Sequence, residues 1–134
     1  MLRTIKQKRR KVEKQIQQFI EQHPALSQTF ELLISIPGVG PVITWYSIIH
    51  THNFKKISTA RKFACYCCVA PFKRQSGTSI QGATKVSKFG NRLLKSILHL
   101  GAMNSRTSDP EMRAYYDRKM EQKTNHNLVM NALV

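Results

Sequence analysis

Acidic residues are scarce in this sequence, which has seven aspartates and glutamates against 22 lysines and arginines in 134 residues. Between Glu31 and Asp109 there is no carboxylate. Metal-dependent phosphoryl transfer needs Asp or Glu side chains to hold Mg²⁺ against the scissile phosphate. A self-contained site of that kind is therefore excluded from the central part of the chain. We expect this chain to hold no cofactor.

Long apolar runs are also absent. No segment approaches the ~20 consecutive apolar residues of a membrane-spanning helix. The basic residues that follow Met1 lead into no apolar core of a signal peptide. These absences predict a cytoplasmic protein without a membrane partner.

Cysteine is limited to three residues within four positions, Cys65, Cys67 and Cys68. A disulfide framework distributes an even number of cysteines along the chain, so none is expected here. Cys65 and Cys68 form a C-x-x-C pair, and His50 and His52 lie nearby in sequence. A closed zinc site needs a second well-formed ligand pair, however. Because the cysteines occupy apolar positions of a short predicted helix, we expect them to pack as small hydrophobic side chains and to bind no metal.

Positive charge is what the sequence has in excess. The formal net charge is +15 and the pI is about 10.3, which favours a polyanionic partner. The stretch without acids contains eleven bases: Lys55, Lys56, Arg61, Lys62, Lys73, Arg74, Lys85, Lys88, Arg92, Lys95 and Arg106. A merely solvated surface normally mixes both signs of charge. The bases are spread over loops and helix starts and not along one helix face, so we expect nucleic acid and not a membrane surface.

The N-terminal segment is predicted to be a helix from residue 2 to residue 22, ended by His23 and Pro24. Apolar residues follow the spacing of a coiled-coil seam, interrupted by Arg9: Leu2, Ile5, Val12, Ile16 and Phe19. So short a seam is marginal alone. We expect residues 1–24 to pair with another helix or a second copy, or to pack on the domain formed by residues 25–134.

Helix start signals divide the remaining residues into further helices, and the fold class is predicted to be all-α with six or seven helices. The expected N-caps are Ser27 or Thr29, Ser58, Asn91, Asp109, and Thr124 or Asn125. The corresponding helices are expected to end before Pro37, at Cys68, near Asn104, near Gln122 and at the chain end.

A helix-hairpin-helix is predicted around the segment Ile36-Pro37-Gly38-Val39-Gly40-Pro41, which precedes a helix from Val42 to Ile49. Gly38 and Gly40 permit φ > 0 on either side of one apolar residue. The turn can present backbone N–H groups and a helix N-terminus to a phosphate. A tight interhelical turn without a ligand is the alternative.

Residues 69–89 are predicted to form a long basic loop, and loops of this length are usually functional or disordered. In Lys73-Arg74-Gln75-Ser76-Gly77 a hydroxyl group next to a glycine has cations before and after it. Cations stabilise charge on phosphate oxygens, and glycine lets a DNA backbone approach. This pattern suits a phosphoryl-transfer nucleophile. Composition alone leaves Ser79, Thr84 and Ser87 open as alternatives, and a base would have to come from His99 or His126.

Several blocks of sequence occur in a characteristic order. They are Ile36-Pro37-Gly38-Val39-Gly40-Pro41, Val69-Ala70-Pro71, Gln75-Ser76-Gly77, and Ser87-Lys88-Phe89-Gly90-Asn91 followed by Leu94-Lys95. In this succession the chain resembles the C-terminal domain of the IS110 family of transposases. That family is related to the Piv DNA invertase and includes recombinases guided by a bridge RNA. The resemblance runs from about Leu32 to the chain end.

The resemblance implies that Ser76 is catalytic. In this family an N-terminal RuvC-like domain binds Mg²⁺ through four acidic residues, and the C-terminal domain supplies a serine that attacks a DNA phosphate and forms a covalent link. The helix from Leu2 to Gln22 then corresponds to the coiled coil joining the two domains. The implied partners are DNA, a guide RNA and further copies of the protein. Since the chain begins beyond the acidic domain, we expect an inactive fragment or decayed copy that still binds DNA.

The cations, glycines and polar residues of these blocks are expected to contact DNA. They are Gly38, Gly40, Lys73, Arg74, Gly77, Lys85, Lys88, Asn91, Arg92 and Lys95. Two positions depart from the family pattern. Cys68 stands where a glycine is usual, and Lys95 stands where an arginine is usual, which removes the bidentate phosphate contact of a guanidinium.

Two other functions are compatible with the sequence. One is a non-catalytic helix-hairpin-helix module that binds nucleic acid through backbone contacts alone. The other is an oligomerisation element that acts through the N-terminal helix. A covalent protein–DNA adduct would separate the catalytic function from the binding module.

Overall fold

The computed structural model describes residues 1–76 and 80–134, except for the side chains of residues 74–76, 80, 81 and 83. Gly77, one of the predicted DNA-binding residues, lies outside the described residues. The elements in this part of the chain are α1 (Leu2–Glu21), α2 (Pro24–Ile34), α3 (Pro41–Thr51), α4 (Ala60–Tyr66), β1 (Pro71–Ser76), β2 (Ile80–Val86), α5 (Arg92–Ser108), α6 (Pro110–Glu121) and α7 (His126–Leu133). Most of the described chain is helical, which confirms the predicted all-α class.

The N-cap of α2 lies four residues before the earliest predicted N-cap, Ser27. His23 is the N-cap, with φ −122° and ψ 101°, and Pro24 is the first helical residue. A residue before proline prefers extended backbone, and proline at the first helical position loses no hydrogen bond. The prediction of Ser27 or Thr29 as N-cap is wrong. The Thr29 hydroxyl instead donates to the Ala25 carbonyl oxygen, 3.0 Å away inside α2.

Side-chain caps start the last four helices. Asn91, Asp109 and Asn125 accept hydrogen bonds from backbone N–H groups at the starts of α5, α6 and α7. These three predicted helix starts are confirmed. The start of α4 differs by one residue, because its N-cap is Thr59 and not Ser58.

The end of α4 is a Schellman motif, in which the residue after the C-cap takes a left-handed conformation. Cys68 has this conformation, with φ 57°. The Cys68 N–H donates to the Cys65 carbonyl at 3.1 Å, and the Val69 N–H donates to the Ala64 carbonyl at 2.9 Å. The helix therefore ends at Tyr66 and does not continue to Cys68 as predicted.

A β-hairpin replaces much of the irregular loop that the sequence predicted for residues 69–89. β1 and β2 pair antiparallel, and Ser76 lies opposite Ile80. Pro71 is the first residue of β1, where proline is tolerated in a strand. Gly82 lies opposite Arg74, next to the register shift between Phe72 and Arg74, and glycine within a strand often accompanies such an irregularity. Pro71 and Gly82, residue types that usually interrupt strands, are thus compatible with this hairpin.

α5 is the centre of the helical body and packs against α3, α6 and α7, while α2 packs against α1 and α3. The buried apolar residues are Ile20, Ile43, Ile48, Cys67, Cys68, Leu94, Ala102, Val129 and Met130. Within the described part of the chain, neither strand packs against a helix. The hairpin therefore projects from the helical body as an arm.

Cys67 and Cys68 are buried, as expected for cysteines that pack as small hydrophobic side chains. Burial, with a smaller contribution from the neighbouring Cys68, raises the pKa of the Cys67 thiol from 9.0 to about 12. Among residues 1–76 and 80–134, no three His, Cys, Asp or Glu side chains are grouped so that they could hold a metal ion.

We expect Cys67 to resist alkylation in the folded protein, because the thiolate is the reactive form and a pKa of about 12 makes it rare near neutral pH. Brief treatment with iodoacetamide followed by mass spectrometry should detect modified Cys65, which is partly exposed, before modified Cys67. Unfolding should abolish the difference. Equal rates in the folded protein would contradict the buried position.

The free energy of unfolding should also fall as pH rises from 9.0 towards about 12, because in this range the Cys67 thiol loses its proton in the unfolded protein but keeps it in the folded protein.

Much of α1 is uncovered. Ile20 near its C-terminal end is buried, whereas Leu2, Ile5, Val12 and Phe19 are each more than half exposed. An apolar groove of about 410 Å³ lies between the C-terminal half of α1 and α3. The division into domains at residue 24 stays a prediction. None of the helices described here, α1 included, has the length and apolar character needed to cross a membrane.

Candidate nucleic-acid interface

The hairpin arm carries the predicted nucleophile at the end of β1, away from the strand ends that join the helical body. The backbone of Ser76 pairs with Ile80 across the hairpin. Lys73 and Arg74 precede Ser76 on the same strand. The Ser76 side chain and all of residues 77–79 lie outside the description. The catalytic role of Ser76 therefore stays a prediction.

Exposed cations extend from the hairpin arm to the start of α5. Lys73 and Lys85 are exposed on the two strands, Lys88 is exposed in the connection to α5, and Arg92 is exposed as the first residue of that helix. Among the described residues, the only ion pair lies on α1. The positive charge of this region is therefore not neutralised by carboxylates there, which suits contact with phosphates.

Asn91 and Lys95, two further predicted DNA-binding residues, make contacts within the protein. The Asn91 Oδ1 accepts a hydrogen bond from the Leu94 N–H at 2.9 Å. The backbone N–H of Asn91 donates to the Tyr66 carbonyl oxygen at 2.8 Å. The Lys95 Nζ donates to the Cys68 carbonyl oxygen at 2.9 Å. Both residues thus fasten α5 to the end of α4. Their contacts with DNA stay predictions.

The two glycines between α2 and α3 differ in conformation. Gly38 has φ 84°, whereas Gly40, the N-cap of α3, has φ −99° and ψ 176°. Gly40 does not use the positive φ that glycine permits, because the residue before Pro41 is restricted to extended backbone. A Cβ on Gly38 would clash with the carbonyl oxygen of Gly101 and lie 2.8 Å from Ser105 Cβ. Gly38 is therefore packed against α5, while a Cβ on Gly40 would meet nothing within 4 Å.

Sequence reasoning missed two aromatic residues next to these cations. Phe89 is 92% exposed and Phe72 is 42% exposed. With Lys85 and Lys88 they line a groove of about 430 Å³ at the base of the hairpin arm. Exposed aromatic rings among lysines are typical of surfaces that bind single-stranded nucleic acid. The neighbouring Lys and Phe residues in the sequence were the available signal.

A separate polar cluster joins the last three helices. The Tyr116 hydroxyl and the His126 Nδ1 share a hydrogen bond of 2.7 Å between α6 and α7. The Arg106 guanidinium of α5 lies over the Tyr116 ring, 4.7 Å from its centroid. His126, which was considered as a base for Ser76, therefore has another partner in this structure.

The family comparison bears directly on this interface. Residues 30–117 match the transposase IS116/IS110/IS902 family. The chain belongs to this family. The match includes the α2–α3 turn, the hairpin arm and the start of α5, so it covers every predicted site residue. The resemblance inferred from the ordered blocks is confirmed.

Relatives of this IS110-family chain come from several bacteria. It is 35% identical over 125 residues to the insertion element IS110 uncharacterized 43.6 kDa protein of Streptomyces coelicolor. The aligned residues make up 93% of this chain and 30% of that protein. It is 28% identical over 109 residues to the pilin gene-inverting protein of Moraxella bovis. This alignment covers 81% of this chain and 34% of the Moraxella protein. The insertion element IS900 protein of Mycobacterium paratuberculosis is 29% identical over 104 residues, covering 77% and 26%. The chain spans about a third of the length of these relatives.

Cys68 and Lys95, the two residues expected to depart from the family pattern, are in contact with each other. Cys68 occupies the left-handed position at which a helix most often ends in glycine. The Lys95 ammonium donates to the carbonyl oxygen of this same residue. Lysine is a compact cation, whereas the planar guanidinium of arginine carries five N–H donors. An arginine at this position could keep the carbonyl contact and retain donors for a phosphate, which Lys95 does less well.

Proposed function

We propose that this IS110-family chain is the DNA-binding part of a transposase or site-specific recombinase, and that Ser76 is the nucleophile of strand cleavage and transfer. The observation that carries this proposal is the hairpin arm. It projects from the helical body, carries exposed cations and has Ser76 at the end of its first strand. A projecting arm can reach a DNA backbone that a serine within the helical body could not.

The proposed reaction needs few groups from this chain. The Ser76 Oγ bonds to a DNA phosphorus atom, one phosphorus–oxygen ester bond of the strand breaks, and the released DNA oxygen takes up a proton to become a hydroxyl group. The serine proton passes to a base. Attack by the hydroxyl group of another strand reverses the step, releases Ser76 and joins the new DNA ends. Lysine and arginine residues of the arm stabilise the charge on the phosphate oxygens.

The remaining parts of the reaction belong to a longer protein. An acidic domain preceding this chain would hold Mg²⁺, and the active assembly would contain several copies of the protein with a guide RNA and two DNA duplexes. No acidic residue of this chain lies between Glu31 and Asp109. We therefore propose that the isolated chain binds DNA but neither cleaves nor joins it.

The α2–α3 turn is proposed to add a backbone contact through the start of α3. Gly40 leaves that helix start sterically open, and the first N–H groups of a helix have no acceptor within it. A phosphate is a suitable acceptor because the helix dipole favours negative charge there. Gly38 supports the contact indirectly by holding the turn against α5.

DNA affinity should decrease steeply as salt concentration rises, because each contacted phosphate releases condensed counterions. The expected slope of log affinity against log salt is roughly −0.9 per phosphate. Fluorescence anisotropy with a labelled duplex at several salt concentrations measures it. A flat salt response would contradict the electrostatic interface.

A covalent adduct distinguishes the proposed nucleophile from a non-catalytic binding module. Full-length protein incubated with DNA and Mg²⁺, then denatured and digested, should yield a DNA-linked peptide that contains Ser76. DNA binding without such a peptide would favour the helix-hairpin-helix module acting through backbone contacts alone.

A further inference from the structure

The groove at the base of the hairpin arm combines aromatic rings with cations. Its lining residues are Phe72, Lys85, Val86, Ser87, Lys88 and Phe89. From this combination we infer that the groove holds an unpaired base of single-stranded DNA, which stacks on Phe89 while the lysines contact the adjacent phosphates. The inference rests on the proposed DNA-binding function and names the form of DNA that this site takes.

Hydrogen bonds from Ser87 hold the backbone of the exposed residue Phe89. The Ser87 Oγ accepts a hydrogen bond from the Phe89 N–H at 3.0 Å and donates one to the Phe89 carbonyl at 3.3 Å. These bonds fix the turn that carries the phenyl ring. The ring is 92% exposed and so contributes little to the core.

The backbone on the C-terminal side of Phe89 is also anchored. Gly90 lies so close to the end of α4 that a Cβ there would be 2.5 Å from the Tyr66 carbonyl oxygen and 2.6 Å from the Cys68 Sγ. The next residue, Asn91, donates its N–H to the same carbonyl at 2.8 Å. Because the backbone on both sides of Phe89 is anchored, this backbone loses little conformational entropy when a base stacks on the ring.

The position of the lysines fits a nucleotide and not an apolar ligand alone. Lys85 lies opposite Phe72 in the hairpin register, and Lys88 precedes Phe89 in the chain. Both lysines are exposed, and the sequence supplies no carboxylate within twenty residues of either. The groove volume of about 430 Å³ is in the range of small-molecule sites.

The single-stranded form follows from the chemistry of stacking. A base inside a duplex is stacked on its neighbours on both faces, so its π-face becomes available to a side chain only when the base is unstacked. Strand exchange exposes unpaired DNA next to the cleaved phosphate. A platform at the base of the hairpin arm would hold such a base at the start of β1, the strand that ends at Ser76.

The test compares Phe89→Ala, Phe89→Trp and the wild-type 134-residue chain in binding to an oligothymidine strand, a DNA duplex and an oligouridine strand. Leu128→Ala is the matched control, because it removes another exposed apolar side chain from α7. We expect Phe89→Ala to weaken binding to oligothymidine by about 5- to 100-fold, and Phe89→Trp and Leu128→Ala to bind as the wild type does. Duplex affinity should change less than about twofold. Thermal melts verify that the variants are folded.

Salt dependence and fluorescence separate stacking from charge. Phe89→Ala should lower oligothymidine affinity by the same factor at low and high salt. Lys88→Gln should instead make the slope of log affinity against log salt less steep, by about the amount that one phosphate contact contributes. The new indole of Phe89→Trp should be quenched when oligothymidine binds.

Four outcomes would overturn the inference. Equal loss of single-strand and duplex affinity in Phe89→Ala would make Phe89 a general contact. Loss of affinity for oligouridine alone would assign the groove to RNA. If Phe89→Ala changed the affinity for none of the ligands and the steep salt dependence were retained, the groove would not be a base-binding site. The proposed DNA binding would still stand. Failure of the wild type to bind any DNA would refute both.

Discussion

Replacing Ser76 by alanine should abolish recombination by a full-length protein that includes the acidic domain. The Oγ of Ser76 is the proposed attacking atom, and its loss removes the reaction path instead of weakening one contact. DNA affinity should stay close to that of the wild type, because one hydroxyl adds little to the phosphate contacts of the cations. Strand exchange, covalent adduct and DNA affinity are measured on the same preparation.

Ser79→Ala is the matched control for this experiment, since it removes the same hydroxyl three positions further along the chain. It should lose at most a hydrogen bond to phosphate and keep most of the activity. Recombination by Ser76→Ala at nearly the wild-type rate would show that the catalytic assignment is wrong. The non-catalytic nucleic-acid-binding module would then be the better description of this chain.

Gly38→Ala should destabilise the fold strongly, by about 2–4 kcal/mol. The left-handed φ of 84° is unfavourable for alanine, and its Cβ would clash with the backbone of α5 at Gly101. Relief of the clash requires α5 or the α2–α3 turn to move, and α5 is packed against three other helices. Chemical denaturation of the wild type and the variant measures the difference in the free energy of unfolding.

Gly40→Ala provides the comparison, because the same methyl group is added two residues away. The Gly40 backbone suits an L-amino acid, with φ −99°, and a Cβ would enter open space. The change in unfolding free energy should be within about 1 kcal/mol of zero. If the two alanine variants were equally stable, the close contact between Gly38 and α5 would be ruled out.

The starts of α5, α6 and α7 could be predicted because their causes are local. Asn91 and Asp109 each cap a helix whose first turn follows directly in sequence. The end of α4 could not be predicted in the same way. A glycine after the helix would have indicated the stop, but Cys68 occupies the left-handed position and leaves the apolar pattern unbroken.

The candidate site could be predicted only in part, for a different reason. The scarcity of acids and the ordered blocks led to the cations and to Ser76, whereas two glycine contacts depend on residues distant in the chain. Gly38 meets Gly101, and Gly90 meets the Tyr66 carbonyl. Similarly, nothing in the sequence near Lys95 indicates that its ammonium binds the Cys68 carbonyl. Contacts across more than twenty residues leave no periodic pattern in the sequence.

The isolation of the hairpin arm from the helices affects how binding energy is used. Two paired strands without a third strand or a helix to cover them are only marginally stable in water. Part of the favourable free energy of the proposed DNA binding would then go into ordering β1 and β2, so the observed affinity would be lower than the contacts alone would give. A second ligand that meets the already ordered strands no longer bears that entropic cost. Ligands that contact the arm would therefore bind cooperatively even if none of them touches another.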